Sequence, residues 1–133
     1  MFSISENFRA SPFSFAGPKR YRNVPIEIKR IPRVDIVVIS HNHYDHLDEE
    51  SVKDLNEKFG TKITWFVPLG IKKWFSSLEI YNVYELNWWQ SRRIDNLVVF
   101  FTPAQHWSSR TFFDRSEVFC FMLIFVLYFE LKN

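Results

Sequence analysis

Three of the four histidines in this 133-residue chain stand within six positions, in the run Ser40-His41-Asn42-His43-Tyr44-Asp45-His46-Leu47-Asp48. Neutral imidazole nitrogens and a carboxylate oxygen make a ligand set for zinc or another borderline divalent metal. The side chains of His41 and His43, two residues apart, point the same way only where the chain is extended, which leaves Asp45 and His46 on a second aspect of the loop. The fourth histidine, His106, comes after Thr102-Pro103-Ala104-Gln105. Three imidazoles on one ion, His41, His43 and His106, leave a fourth position open to water, the pattern of a catalytic rather than a structural zinc. Alone, His106 would read as an ordinary core or surface histidine; the cluster upstream turns it into a candidate ligand. Cys120 is the single cysteine, so neither an internal disulfide nor a cysteine-built zinc site can form, and a reducing compartment is expected.

Such ligands need rigid elements behind them. Val34 to Ile39 is a short apolar, β-branched run that suits a buried strand of an α/β sheet. It places the histidine loop at a strand's C-terminal end, where α/β sheets keep their sites. Asp48 is set to cap a helix with Glu49 and Glu50 in its first turn, Val52, Leu55 and Phe59 on one face, and Gly60 closing it. Ile63 to Val67 reads as a second strand and Ile71 to Phe75, extended to Leu78, as a short helix. Val83 to Leu86 and Leu97 to Thr102 read as two further strands, the last stopped by Pro103 just ahead of His106. Strands alternating with short helices imply a layered α/β fold.

The length fits one domain, and 47% hydrophobic with 24% charged residues is the composition of a folded chain. A net charge of +2 is too small to imply nucleic acid, and none is expected as a partner. The charge is uneven. Residues 1–33 carry seven basic side chains (Arg9, Lys19, Arg20, Arg22, Lys29, Arg30, Arg33) against Glu6 and Glu27, with four of the six prolines, so an extended, turn-rich segment is expected there. It reads as a solvated basic arm or as a contact for phosphate or anionic lipid. Met1 to Ala16 lacks the clean apolar core of a secretory signal. Val118 to Phe129 is an unbroken apolar run of twelve residues, short of the ~18 to 20 that span a bilayer, and a buried strand is expected in it.

His41, His43, Asp45 and His46 form a His-x-His-x-Asp-His motif that resembles the metallo-β-lactamase superfamily. Further blocks narrow the resemblance: Arg9-Ala10-Ser11-Pro12, Gly17 to Tyr21, Trp65 to Gly70, Glu85 to Trp89, and Thr102 to Trp107 with Arg110 and Thr111. In this order, from about residue 8 to 119, they look like the N-acylphosphatidylethanolamine-hydrolysing phospholipase D branch. The resemblance implies a partial αβ/βα sandwich over residues 34–119, with residues 1–33 ahead of it and an apolar, non-family tail at 120–133. It implies two zinc ions, one on the positions of His41, His43 and His106. The other falls to Asp45 and His46, which on this resemblance carry the catalytic role. The implied reaction releases an N-acylethanolamine from an N-acylated phospholipid and leaves phosphatidic acid, on an anionic membrane surface reached peripherally from inside the cell, with no transmembrane span. Other metallo-β-lactamase hydrolases, such as lactonases or thioesterases, share the metal loop, and a non-catalytic metal-binding remnant is a further alternative.

The same family places two more ligands after the position of His106, a bridging Asp in a Gly-Asp-Thr segment and a final His. In this sequence no histidine follows His106, no glycine follows Gly70, and the later Asp is Asp114. The 133 residues are therefore expected to be a middle slice of the domain and to hold one zinc at most. Trp65, Trp88, Trp89 and Trp107 are expected to pack in the core or at its rim, and Tyr44 lies beside the ligands.

Overall fold

A computed structural model describes residues 17, 19, 21, 22 and 24–106, with the backbone of 121–127. After a 3-10 turn at Ile28–Arg30 the elements run β1 (Ile36–Val38), α1 (Glu49–Phe59), β2 (Thr64–Pro68), α2 (Lys72–Ser77), β3 (Val83–Leu86), β4 (Ser91–Ile94), β5 (Leu97–Pro103) and β6 (Phe121–Leu127). β1, β2 and β3 form a parallel sheet in that order, and β4, β5 and β6 an antiparallel one.

Side-chain alternation along the parallel strands builds two cores from one sheet. Val37, Ile39, Trp65, Val67 and Val83 pack with Val52 and Leu55 of α1 and Phe75 of α2 in one buried cluster. Phe66 and Leu86 pack instead with Val99 and Phe101 of β5, with Ile36, Val38 and Tyr84 against them. Layers therefore run helices, parallel sheet, antiparallel sheet. β2 lies in the middle with both faces covered, which is why its sequence is apolar at consecutive positions instead of alternating.

The helix boundaries follow the local chemistry. The Asp48 side chain accepts from the Ser51 N–H at 3.2 Å and from the Ser51 hydroxyl, fixing the start of α1. Gly60 ends it at φ 55, and a Cβ there would meet nothing within 4 Å, so glycine is required by backbone conformation and not by space. Lys58 near the end of α1 donates to the carbonyls of Ile28, Lys29 and Ile31 at 2.6 to 2.8 Å, tying the segment before β1 to the helix.

The strand and helix positions expected from sequence agree with the structure to within one or two residues. β4 is the exception. Its Ser91-Arg92-Arg93-Ile94 has no apolar alternation, and three of the four residues are exposed. It exists because Asp95 at φ 49 and Asn96 make a two-residue turn that folds it back on β5, and because Arg92 lies 4.7 Å over the Tyr84 ring. β6 falls inside the apolar run 118–129 and pairs with β5 from Pro103↔Phe121 to Leu97↔Leu127. No helix among the described residues is long and apolar enough to cross a membrane.

Phe66 is fully buried between the sheets, so Phe66→Ala is expected to cost about 3 to 5 kcal/mol. Asp48→Ala, which removes only a cap, is expected to cost about 1 kcal/mol. Urea unfolding of the two variants beside the parent checks the ranking, and equal losses would contradict it.

Candidate metal centre

The histidine loop is held at both ends by the core. Ile39 is fully buried and its N–H bonds the Phe66 carbonyl at 2.9 Å, carrying the β1–β2 pairing one residue past the strand. Leu47, 1% exposed, re-enters the same cluster. Between these anchors His41 and Asn42 have no regular structure. The amides of His46 and Leu47 then bond the His43 carbonyl at 2.9 and 2.8 Å, turning the chain into α1. Ligand-type side chains are thus concentrated at the C-terminal end of the parallel sheet.

His106 reaches the same point from the other sheet. The turn after β3 is stitched to β5 by bonds from the Trp89 N–H to the Phe101 carbonyl (2.7 Å) and from the Phe101 N–H to the Gln90 carbonyl (3.0 Å). With Phe101 buried below, β5 delivers His106 three residues after Pro103, where its ring centroid lies 4.5 Å from that of His41 and 5.0 Å from that of His43.

One ligand atom from each of His41, His43 and His106 lies within 4.8 Å of the others. His41 Nε2 and His43 Nδ1 are 3.1 Å apart. Nitrogens around a tetrahedral divalent ion, at metal–nitrogen distances of about 2.0 to 2.1 Å, sit about 3.4 Å from one another, so the three side chains fit such an ion with small adjustments. His46 packs its ring 4.1 Å from that of His41, and its Nε2 faces Asp45 Oδ2 at 3.5 Å. All five residues singled out in the sequence therefore share one end of the sheet, with His41 buried, His43, Asp45 and His46 half-buried, and His106 exposed.

The electrostatics suit a cation. Burial, reinforced by neighbouring His46, His43 and His106, pushes the pKa of His41 down to about 3. Burial also lowers His43 and His46, against the opposing pull of Asp45. Desolvation favours neutral imidazole over imidazolium, so these rings keep a lone pair for a metal at neutral pH.

The sequence matches the family described as beta-lactamase superfamily domain over residues 9–126. The chain belongs to the beta-lactamase superfamily. It is similar to an N-acyl-phosphatidylethanolamine-hydrolyzing phospholipase D of Caenorhabditis elegans, 42% identical over 118 residues, covering 82% of this chain and 33% of that protein. It is also similar to a mitochondrial N-acyl-phosphatidylethanolamine-hydrolyzing phospholipase D of Saccharomyces cerevisiae, 38% identical over 113 residues (81% of this chain, 24% of the relative). An uncharacterised protein of Mycobacterium tuberculosis is 39% identical over 104 residues (77% and 27%). The chain spans a quarter to a third of the length of these relatives. In this beta-lactamase superfamily chain the helices, the parallel sheet and the antiparallel sheet correspond to a partial αβ/βα sandwich, as expected from sequence.

Trp65 lies in the core, whereas Trp88 and Trp89 stand at the rim, 40% and 74% exposed. Trp107, Arg110, Thr111 and Arg9 to Pro12 lie outside the described residues. Ser40 was not singled out from sequence. Its Oγ lies 2.9 Å from His41 Nδ1 and 3.5 Å from His46 Nδ1, and its place directly before the motif was the only available signal.

In the metal-free chain the folded state excludes a proton from His41 down to about pH 3, while the unfolded chain takes it up near pH 6.5. The unfolded state then binds more protons, so stability present above pH 6.5 is lost as pH falls toward 3. Urea midpoints from pH 7.5 to 4 are expected to drop more steeply for the parent than for His41→Gln. Parallel profiles would contradict a buried neutral His41.

Proposed function

We propose that this chain carries the metal-binding part of a zinc-dependent phosphodiester hydrolase of phospholipase D type, whose substrate is an N-acylated phosphatidylethanolamine. The carrying observation is the convergence of His41, His43 and His106, donor atoms within 4.8 Å of one another, from two different sheets. The names of the worm and yeast relatives support the substrate class.

In this reading His41 through Nε2, His43 through Nδ1, and His106 hold one zinc, while Asp45 and His46 contribute to a second. Zinc there supplies a Lewis acid for a phosphoryl oxygen and a water acidified to a pKa of about 7. The protein's own part is to aim the donors. The strand-end anchors Ile39 and Leu47 fix the loop, and the low pKa of His41 keeps that ring free of a competing proton at neutral pH. Asp45, 3.5 Å from His46 Nε2, brings negative charge to an otherwise uncharged group of rings.

A lipid substrate suits the surroundings. Leu69, Trp88 and Trp89, 38% to 74% exposed, follow the C-terminal ends of β2 and β3, on the same rim as the histidine loop. Tryptophan combines an apolar ring with a polar N–H and is favoured at membrane–water boundaries. The basic residues before β1, Lys29, Arg30 and Arg33 among them, suit an anionic surface.

Three experiments test this. A full-length relative in which residues 9–119 of this chain replace its own is expected to release N-acylethanolamine from liposomes in a zinc-dependent manner. His41→Ala or His43→Ala is expected to lose that activity together with zinc retention in equilibrium dialysis, because two imidazoles are too few to close the site. Release without zinc, or zinc retained at parental affinity in either variant, would overturn the proposal. Sedimentation of the chain with anionic liposomes is expected to weaken as salt rises, each basic residue near the surface contributing about 1 kcal/mol. Salt-indifferent binding would contradict a basic contact.

A further inference from the structure

Ser40 is the last residue before the ligand loop, and the sheet sets its position. The preceding residue, Ile39, is fully buried and bonded through its N–H to the Phe66 carbonyl. The short side chain puts Oγ 2.9 Å from His41 Nδ1 and 3.5 Å from His46 Nδ1, between two rings whose centroids are 4.1 Å apart. The opposite nitrogens of those rings face elsewhere. His41 Nε2 is directed at His43 Nδ1 (3.1 Å), in the three-histidine group, and His46 Nε2 at Asp45 Oδ2 (3.5 Å).

We propose that Ser40 is a positioning residue shared by both halves of the ligand set: its hydroxyl oxygen accepts from Nδ1–H of His41 and of His46 and holds both rings in the tautomer that leaves Nε2 bare. The inference deepens the metal reading above and rests on it for its consequence. The chemistry of the hydroxyl carries it. A neutral imidazole has one N–H, and a ring that ligates through Nε2 must carry its hydrogen on Nδ1. A serine oxygen has two lone pairs and so accepts from both rings at once. Its single O–H could serve only one ring as donor, and doing so would force that ring's hydrogen onto Nε2 and block the ligand atom. The arrangement in which both rings donate to Ser40 is the one that readies both. A single atom thereby couples His41 to His46, though the two serve different ions. Partners of this kind on ligating histidines affect metal affinity by about 10- to 100-fold.

The test compares the parent chain with Ser40→Ala and Ser40→Thr, the second retaining a hydroxyl. Long-range proton–nitrogen correlation spectra of the metal-free chains at about pH 8, where imidazole is neutral, report the tautomer of each ring. The parent and Ser40→Thr are expected to show Nδ1–H for His41, and Ser40→Ala a mixture; at His46, whose Nε2 faces the Asp45 carboxylate in the metal-free chain, Nδ1–H is expected once zinc is added. Zinc affinity, read by competition with a chromophoric chelator, is expected to fall about 10- to 100-fold in Ser40→Ala and to recover in Ser40→Thr. Parental tautomers in Ser40→Ala would overturn the proposal. If Ser40→Ala does not fold, Ser40→Cys replaces it, because the thiol is a weak acceptor, and parental signals there overturn the proposal in the same way. A parent chain that binds no zinc would count against the metal reading, while its metal-free spectra still decide what Ser40 does.

Discussion

Everything at the histidine cluster depends on the contact between the two sheets. Phe66 and Leu86 from the parallel sheet meet Val99 and Phe101 from the antiparallel sheet, and this apolar contact sets where β5 ends. Three residues beyond β5 stands His106. If the sheets slid past each other by one residue, about 3.3 Å along a strand, His106 would move away from His41 by a large part of the present 4.5 Å ring separation. The parallel sheet supplies four candidate ligands by itself, but the group of His41, His43 and His106 exists only because a second layer is packed against it.

That same packing makes the cluster electrostatically demanding. Three imidazoles, His41, His43 and His46, are gathered where burial disfavours charge, with His41 only 5% exposed. A proton on a neighbouring ring penalises the next: His46, His43 and His106 all push His41 down, and His106 and His46 push His43 down. A cation bound between the lone pairs relieves this arrangement, whereas a proton on any one ring worsens it. The core thus holds the rings together against water, and Asp45 supplies the negative charge that opposes the lowering of His43 and His46.

How much of this was legible in the sequence depended on how local each signal was. The α1 cap by Asp48 and the glycine stop at Gly60 were readable because each works through its own backbone neighbours. β2 was readable as Ile63 to Val67 because apolar residues fill a strand buried between layers. β4 was not, since Ser91, Arg92 and Arg93 are exposed and the strand is held by its turn and by pairing with β5, neither of which leaves an apolar period. Among site residues, His41, His43, Asp45 and His46 announced themselves by spacing. His106 was inferred from its place after a strand, and its approach to His41 required the second sheet. Ser40 carried no spacing signal, because its importance comes from sitting between two rings that lie together only in the folded chain. Trp88 and Trp89 were expected in the core or at its rim, and the turn that holds Trp89 at φ 65 puts them at the rim, Trp89 74% exposed.

The central claim is that two sheets bring three imidazoles onto one ion, and X-ray absorption at the zinc edge of the zinc-loaded chain tests it most directly. Three imidazole nitrogens at about 2.0 to 2.1 Å are expected, and that three-nitrogen signal is expected to be lost in His106→Ala while the fold is retained. A spectrum unchanged by His106→Ala, or one dominated by sulfur from Cys120, would contradict the account.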